Sequence, residues 1–400
     1  MNTEFITFKN QSWQFTSAFF QYCLQHTFDD PSARVHSSRF LATGGKLVVD
    51  AKYETLSTSR IIGIQQYELV YEREGQNFER KVLIKSKQPV QDLMKVISKL
   101  ISDYGLDSRV ASHEYLAPAG GFEKSDIKEI EIYRLQIRHS ALKNYQPELL
   151  GLYVDQAKQD YIIVMEGLDE AYLSTNTDLS LWDREAVEAT IDAIAELHAI
   201  WYRKTESLAQ QVWMSPEMTT TRMESLLPLW RGLADAARSQ VGKIMTMEDL
   251  EFHLDLVGTM SHWWKKIEHL PKTMIHNDLV PKNVGFRQGE VKKCVCVFDW
   301  DAAIVHLPQR DLCEFLCYFI SENSSADEVL PFIERHRLTL EKYSNQKIDP
   351  VDWGQGFGLS LKDFFINRLA MEILIEELEP RNVAKVYRTA RNLMDLFPGD

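Results

Sequence analysis

The stretch Ile275-His276-Asn277-Asp278-Leu279-Val280-Pro281-Lys282-Asn283, with Val297-Phe298-Asp299-Trp300-Asp301 downstream, decides how this chain of 400 residues is read. An aspartate opens a short loop, Pro281 interrupts any regular helix or ladder there, and Asn283 closes the loop. The apolar run from Val291 to Phe298 reads as a buried strand that delivers Asp299 to the rim of the same cavity. One carboxylate to orient a hydroxyl and two oxygen ligands to hold a divalent cation are what phosphoryl transfer from a magnesium nucleotide requires.

These motifs resemble those of the eukaryotic-like small-molecule kinases, which include aminoglycoside phosphotransferases and choline and ethanolamine kinases. The form His276-Asn277-Asp278 is most similar to the choline/ethanolamine branch. The stretch Ala195-Glu196-Leu197-His198-Ala199-Ile200-Trp201 and the segment Arg310-Asp311-Leu312 resemble further signatures, so the likeness spans roughly residues 60 to 320. It implies a two-lobed α+β fold, with a small lobe built on an antiparallel sheet and a mostly helical large lobe. Residues 1–45 then form an N-terminal helical extension rich in aromatics, 46–165 the small nucleotide-binding lobe, and 166–400 the large lobe.

Within the small lobe, strands are expected over 47–55, 61–72 and 78–85, with a glycine-containing turn at Arg73–Asn77. By resemblance, the loop 56–60 covers the nucleotide phosphates. It has no G-x-G-x-x-G, so backbone amides and the hydroxyls of Ser57 and Ser59 would do the cradling. Lys85 ends the apolar strand Val82-Leu83-Ile84 and is the expected phosphate-gripping lysine, with Lys87 as its alternative. Its expected partner is Glu129, four residues before Tyr133, with Glu131 as the rival. The residues between Lys85 and Glu129 include an amphipathic helix near 90–104 and a loop at 117–121, and read as an insertion.

The strand Tyr161–Gly167 resembles the hinge between lobes, so Met165 and Glu166 are expected at the adenine edge. Asp183 is a plausible cap for a helix over 184–201; His198, on its apolar face, is assigned no chemistry. By the same resemblance Asp278 is the catalytic base, and Asn283, Asp299 and Asp301 are the magnesium ligands. His276, Arg310 and Asp311 are expected to be structural. Helices are expected over 353–378 and 381–397, where Trp353, Asp363 and Arg368 are candidate acceptor contacts.

Composition narrows the partners. Acidic residues outnumber Lys and Arg, giving a net charge of −13, so no nucleic-acid footprint is expected. No run of apolar residues is long enough to span a membrane. Cys294, Cys296, Cys313 and Cys317 have spacings that invite a zinc reading, but all lie in apolar runs where buried reduced thiols are expected. The odd cysteine count and the lack of a signal peptide fit a cytoplasmic location. Val280 stands where kinases acting on serine or threonine carry a lysine, and no Phe-Gly continuation follows Asp299. The expectation is therefore an ATP- and Mg2+-dependent kinase, with GTP as the alternative nucleotide, acting on a hydroxyl of a small molecule. That acceptor could be an aminoglycoside, a choline-like amino alcohol or a natural product. A catalytically silent nucleotide-binding module and a kinase acting on a protein are the alternatives.

Overall fold

Residues 63 to 86 fold as one hairpin because their sequence alternates and their turn can take the required backbone. In Gly63–Arg73 every second side chain is buried, the period of a half-covered strand. Glu74 and Gly75 both have positive φ, 54° and 74°, which is the two-residue turn whose twist matches its flanking strands. The second strand, Gln76–Ser86, pairs back in continuous register from Arg73↔Gln76 to Gly63↔Ser86.

The computed structural model describes residues 4–9, 12–43, 62–103, 105–168, 173–175, 179–287, 294–375 and 382–399. In chain order the first elements are β1 (Ile6–Lys9), β2 (Ser12–Phe15), α1 (Ser17–Phe28), β3 (Arg34–Thr43), β4 (Gly63–Arg73) and β5 (Gln76–Ser86). After them come α2 (Val90–Asp103), α3 (His113–Gly120), α4 (Ser125–Leu135), β6 (Leu149–Asp155) and β7 (Asp160–Glu166). The main sheet has the order β3-β4-β5-β7-β6, antiparallel at every pairing.

Residues 1–45 are not the helical extension the sequence suggested. Among the described residues of that stretch α1 is the only helix, and β3 is an edge strand of the main sheet, paired with β4. β3 is rich in Arg, His and Ser and carries two register shifts, which is how an edge strand looks and why no apolar alternation marks it. α1 fills one sheet face: Phe19, Phe20, Cys23 and Leu24 pack with Tyr67, Val82, Ile84 and Leu150. The segments 47–55 and 56–60, with Ser57 and Ser59, lie outside the described residues.

The large lobe is mainly helical, with its reactive loops set between short strands. Its elements here are α5 (Arg184–Ala199), β8 (Thr273–Ile275), β9 (Val284–Arg287), β10 (Cys294–Val297), β11 (Ile304–His306), α6 (Gln309–Phe319), α7 (Ala326–Ser344), α8 (Pro350–Phe364) and α9 (Val383–Leu396). Asp183 caps α5 by accepting from the Ala186 N–H at 2.8 Å. The loop 276–283 leaves β8 and returns on β9, while β9 pairs with β10 and β11 pairs with β8. Two short ladders thus bring the ends of both motifs together.

Among the described residues no helix is long and apolar enough to cross a membrane. The cysteines are all free, four of them buried, and Cys294 is half-buried.

Candidate active site

Strand alternation sets the first part of the site. Val82 and Ile84 point into the α1 core, so Lys85 and Lys87 point to the opposite face, toward α4. There both ammonium groups donate to one oxygen of the fully buried Glu129, Lys85 at 2.7 Å and Lys87 at 2.6 Å. Lys85 also donates to Asp299 Oδ1 at 2.5 Å. Lys87 makes a close ion pair with Asp301. Glu131 instead pairs with Arg134 near the surface.

Burial works against the Lys85 charge, but Asp299 and Glu129 outweigh it and hold its pKa above the ordinary lysine value. For Lys87 burial wins, aided by the neighbouring Lys85 charge, and its pKa is pushed down to about 8. Burial opposes the charge of Glu129 and Asp299 too, yet the lysines keep both carboxyls below their usual range.

The catalytic loop is built from the inside. Buried Asp311, at the start of α6, accepts from the backbone N–H groups of His276 and Asn277 at 2.7 and 2.8 Å. His198 donates to the same carboxylate at 3.1 Å, and His336 bonds the other His198 nitrogen at 3.2 Å. Burial raises the Asp311 pKa, but the His198 hydrogen bond leads the opposing effects and keeps it low. His276 donates through Nε2 to the Phe298 carbonyl at 2.9 Å and accepts from the Asp278 N–H at 3.3 Å. It therefore ties the two motifs together. Asn277 and Asp299 have φ of 60° and 69°, a left-handed backbone that Asn and Asp tolerate best among residues with side chains.

Asn283 Nδ2 donates to the backbone oxygen of Asp278 at 2.8 Å and to its carboxylate at 3.0 Å. Asp278 lies close enough for its charge to act on Asp299. Glu129, Asp299 and Asp301 offer carboxylate oxygens all within 4.8 Å of one another. That donor set fits Mg2+, which takes hard oxygen ligands. The two ammonium groups already beside it mark a place where positive charge is stabilised.

Of the other expected site residues, Arg368 donates to the Asn277 carbonyl and so touches the catalytic loop. It reaches there because Phe365–Leu369 forms one wider π-helical turn after α8, a local irregularity often found at functional positions. Trp353 and Asp363 do not reach the site. Trp353 is buried against His336 and donates to the Ile333 carbonyl. Asp363 is the interior partner of Arg310, at 3.0 Å. Met165 is buried under Tyr133, and the Glu166 carboxylate is held by Arg287. The N–H groups of Glu166 and Gly167 donate to the Glu148 and Lys81 carbonyls.

Two acids escaped the sequence reading. Glu314 on α6 and Glu372, just after the π-turn, bring carboxylate oxygens within 4.8 Å of one another and of Asp278. Each is a lone acid in an apolar helical run, Leu312-Cys313-Glu314-Phe315-Leu316 and Met371-Glu372-Ile373-Leu374. That was the available signal.

A model of the phosphotransferase enzyme family matches residues 128–343, more than half of the chain. The chain belongs to this phosphotransferase family. The match opens beside Glu129 and takes in the catalytic loop, both aspartates of Asp299-Trp300-Asp301, and α6. No curated protein gives a significant sequence match. Among solved structures, the phosphotransferase is similar to an ethanolamine kinase of Plasmodium vivax, at 12% identity over 88% of each chain with a TM-score of 0.41. A choline/ethanolamine kinase family protein from Mesorhizobium loti is 13% identical over 82% of this chain and 85% of its own, with a TM-score of 0.38. A GDP complex of an aminoglycoside 2′-phosphotransferase is 12% identical over 92% and 97%, with a TM-score of 0.42. None of these likenesses bears on the choice of acceptor.

Proposed function

We propose that this phosphotransferase moves the terminal phosphoryl group of ATP onto a hydroxyl of a small molecule. The observation that carries the reading is the Lys85 ammonium bridging Glu129 of α4 and Asp299 beyond β10, which joins the two lobes at one buried charge. Asn283, Asp299 and Asp301 would hold magnesium, which when bound spreads the charge of the phosphates. Asp278 orients the acceptor hydroxyl and takes its proton late; a loose transition state asks for little base strength. Asn283 keeps the Asp278 carboxylate in place, and Asp311 fixes the loop backbone beneath it. Lys85 turns to the phosphates.

Glu314 and Glu372 favour a cationic acceptor, such as an amino alcohol, because they put buried negative charge beside Asp278. The test is magnesium-dependent turnover of ATP with a panel of alcohols, run beside Asp278→Asn. Turnover with an amino alcohol, lost in a variant that stays folded, supports the reading. Nucleotide binding without turnover on any alcohol sinks it in favour of a silent module, and a phosphorylated protein in place of a phosphorylated alcohol sinks the small-molecule acceptor.

A further inference from the structure

The roles assigned so far leave the buried cation of Lys87 unused. Lys87 is as deeply buried as Lys85, lies just past the end of β5, and bonds the same Glu129 oxygen. Beyond that oxygen Lys85 bonds Asp299 and reaches Asp301 at 3.5 Å, while Lys87 makes a close pair with Asp301. The second Glu129 oxygen has no hydrogen-bond partner among the described residues. A lysine enclosed in this way is held by the carboxylates around it, and removing either side leaves an uncompensated charge.

We propose that Lys87 is a positioning residue that sets the net charge of the site, so that cation and nucleotide bind together and the cation alone binds poorly. This rests on the magnesium-nucleotide reading above. Three carboxylates face two ammonium groups, so the site carries one net negative charge. One divalent cation turns that to one net positive charge, which attracts a polyphosphate. With a single lysine the same cation would only neutralise the site: it would bind tightly alone and leave little pull on the phosphates. Lys87 also keeps Glu129 and Asp301 engaged when Lys85 leaves Asp299 for the phosphates.

The experiment titrates Mn2+ into the nucleotide-free, full-length protein by electron paramagnetic resonance, and separately measures binding of a non-hydrolysable ATP analogue with Mg2+. Removing one unit charge at this distance predicts that Lys87→Met binds Mn2+ about tenfold tighter without nucleotide and the magnesium analogue about tenfold weaker. Lys87→Arg, which keeps the charge, is expected to titrate like the unchanged protein. Lys87→Gln should move in the same direction as the methionine variant and serves if that variant does not fold. Mn2+ curves for the neutral variants that superimpose on the unchanged protein, while that protein binds the magnesium analogue, overturn the inference. An unchanged protein that binds no magnesium nucleotide overturns the proposed function itself.

Discussion

Two groups of three carboxylates flank the catalytic loop, and the chain treats them oppositely. Glu129, Asp299 and Asp301 are met by Lys85 of β5 and by Lys87, just past its end. Asp278, Glu314 and Glu372 all belong to the large lobe, where Arg310 meets one Glu314 oxygen. The first group is balanced across the cleft, so its electrostatics depend on both lobes being in place. The second is assembled by the loop 276–283 and two helical segments of the large lobe. The proposed reaction, which gathers polyphosphate on one side and presents a hydroxyl on the other, gains from that division.

The largest effect expected is on turnover. Asp278→Asn should lower kcat by about 10³-fold, the usual scale for a positioned proton acceptor, with nucleotide affinity nearly unchanged in a binding titration. A parallel loss of nucleotide affinity would merge the two groups into one functional unit.

Next comes the support of the second group. Arg310 is buried between Glu314 and Asp363, each at 3.0 Å, and stacks over Phe364. Arg310→Met strands two buried carboxylates and should cost about 3 kcal/mol in urea denaturation. A cost below about 1 kcal/mol would show that this lobe does not need its internal cation.

Acid probes the same lobe. His253 packs 5.2 Å from the Phe365 ring, at the start of the π-turn, and burial pushes its pKa down to about 4. The unfolded chain takes up a proton near pH 6.5 and the folded one does not, so stability falls as pH drops from about 6.5 toward 4. Between pH 7.5 and 5 this histidine alone should account for about 2 kcal/mol, and His253→Phe should flatten that slope. An unchanged slope would assign the acid sensitivity to His306 and His336, which burial also holds low.

The smallest effect tests charge at the acceptor side. Glu314→Gln should raise KM for a cationic acceptor by about fivefold, roughly 1 kcal/mol, and leave KM for a neutral alcohol unchanged. Equal shifts for both would remove the electrostatic preference.

Much of this was readable from the chain. β4 declares itself by its period of two, β5 by the apolar run Val82-Leu83-Ile84, and the hairpin by a turn whose glycine follows a residue in the same left-handed conformation. The catalytic loop declares itself because Asp278, Pro281 and Asn283 are unusual among apolar neighbours. β3 was hidden because its Arg, His and Ser residues and two register shifts break the alternation between Val35 and Phe40, the side chains that do pack on the core. Trp353 and Asp363 misled because nothing local distinguishes a buried aromatic or ion-paired acid from one that lines a pocket. Arg368 reaches the loop, and Glu372 the second carboxylate group, through one extra residue in a helical turn, a displacement that periodicity alone does not report.

Gly121, at the end of α3, has φ of 72°, and a Cβ there would stand 2.6 Å from the Ala302 carbonyl and 2.8 Å from Asn277 Nδ2. Its neighbours Glu123 and Lys124 bond Arg222, Ser215 and Val212 of the large lobe. The end of α3 and the turn into α4 are thus riveted to the floor of the reaction loops. Because α4 also packs on the sheet through Tyr133 and Met165, that one helix is anchored to both lobes, and Glu129 is held from either side.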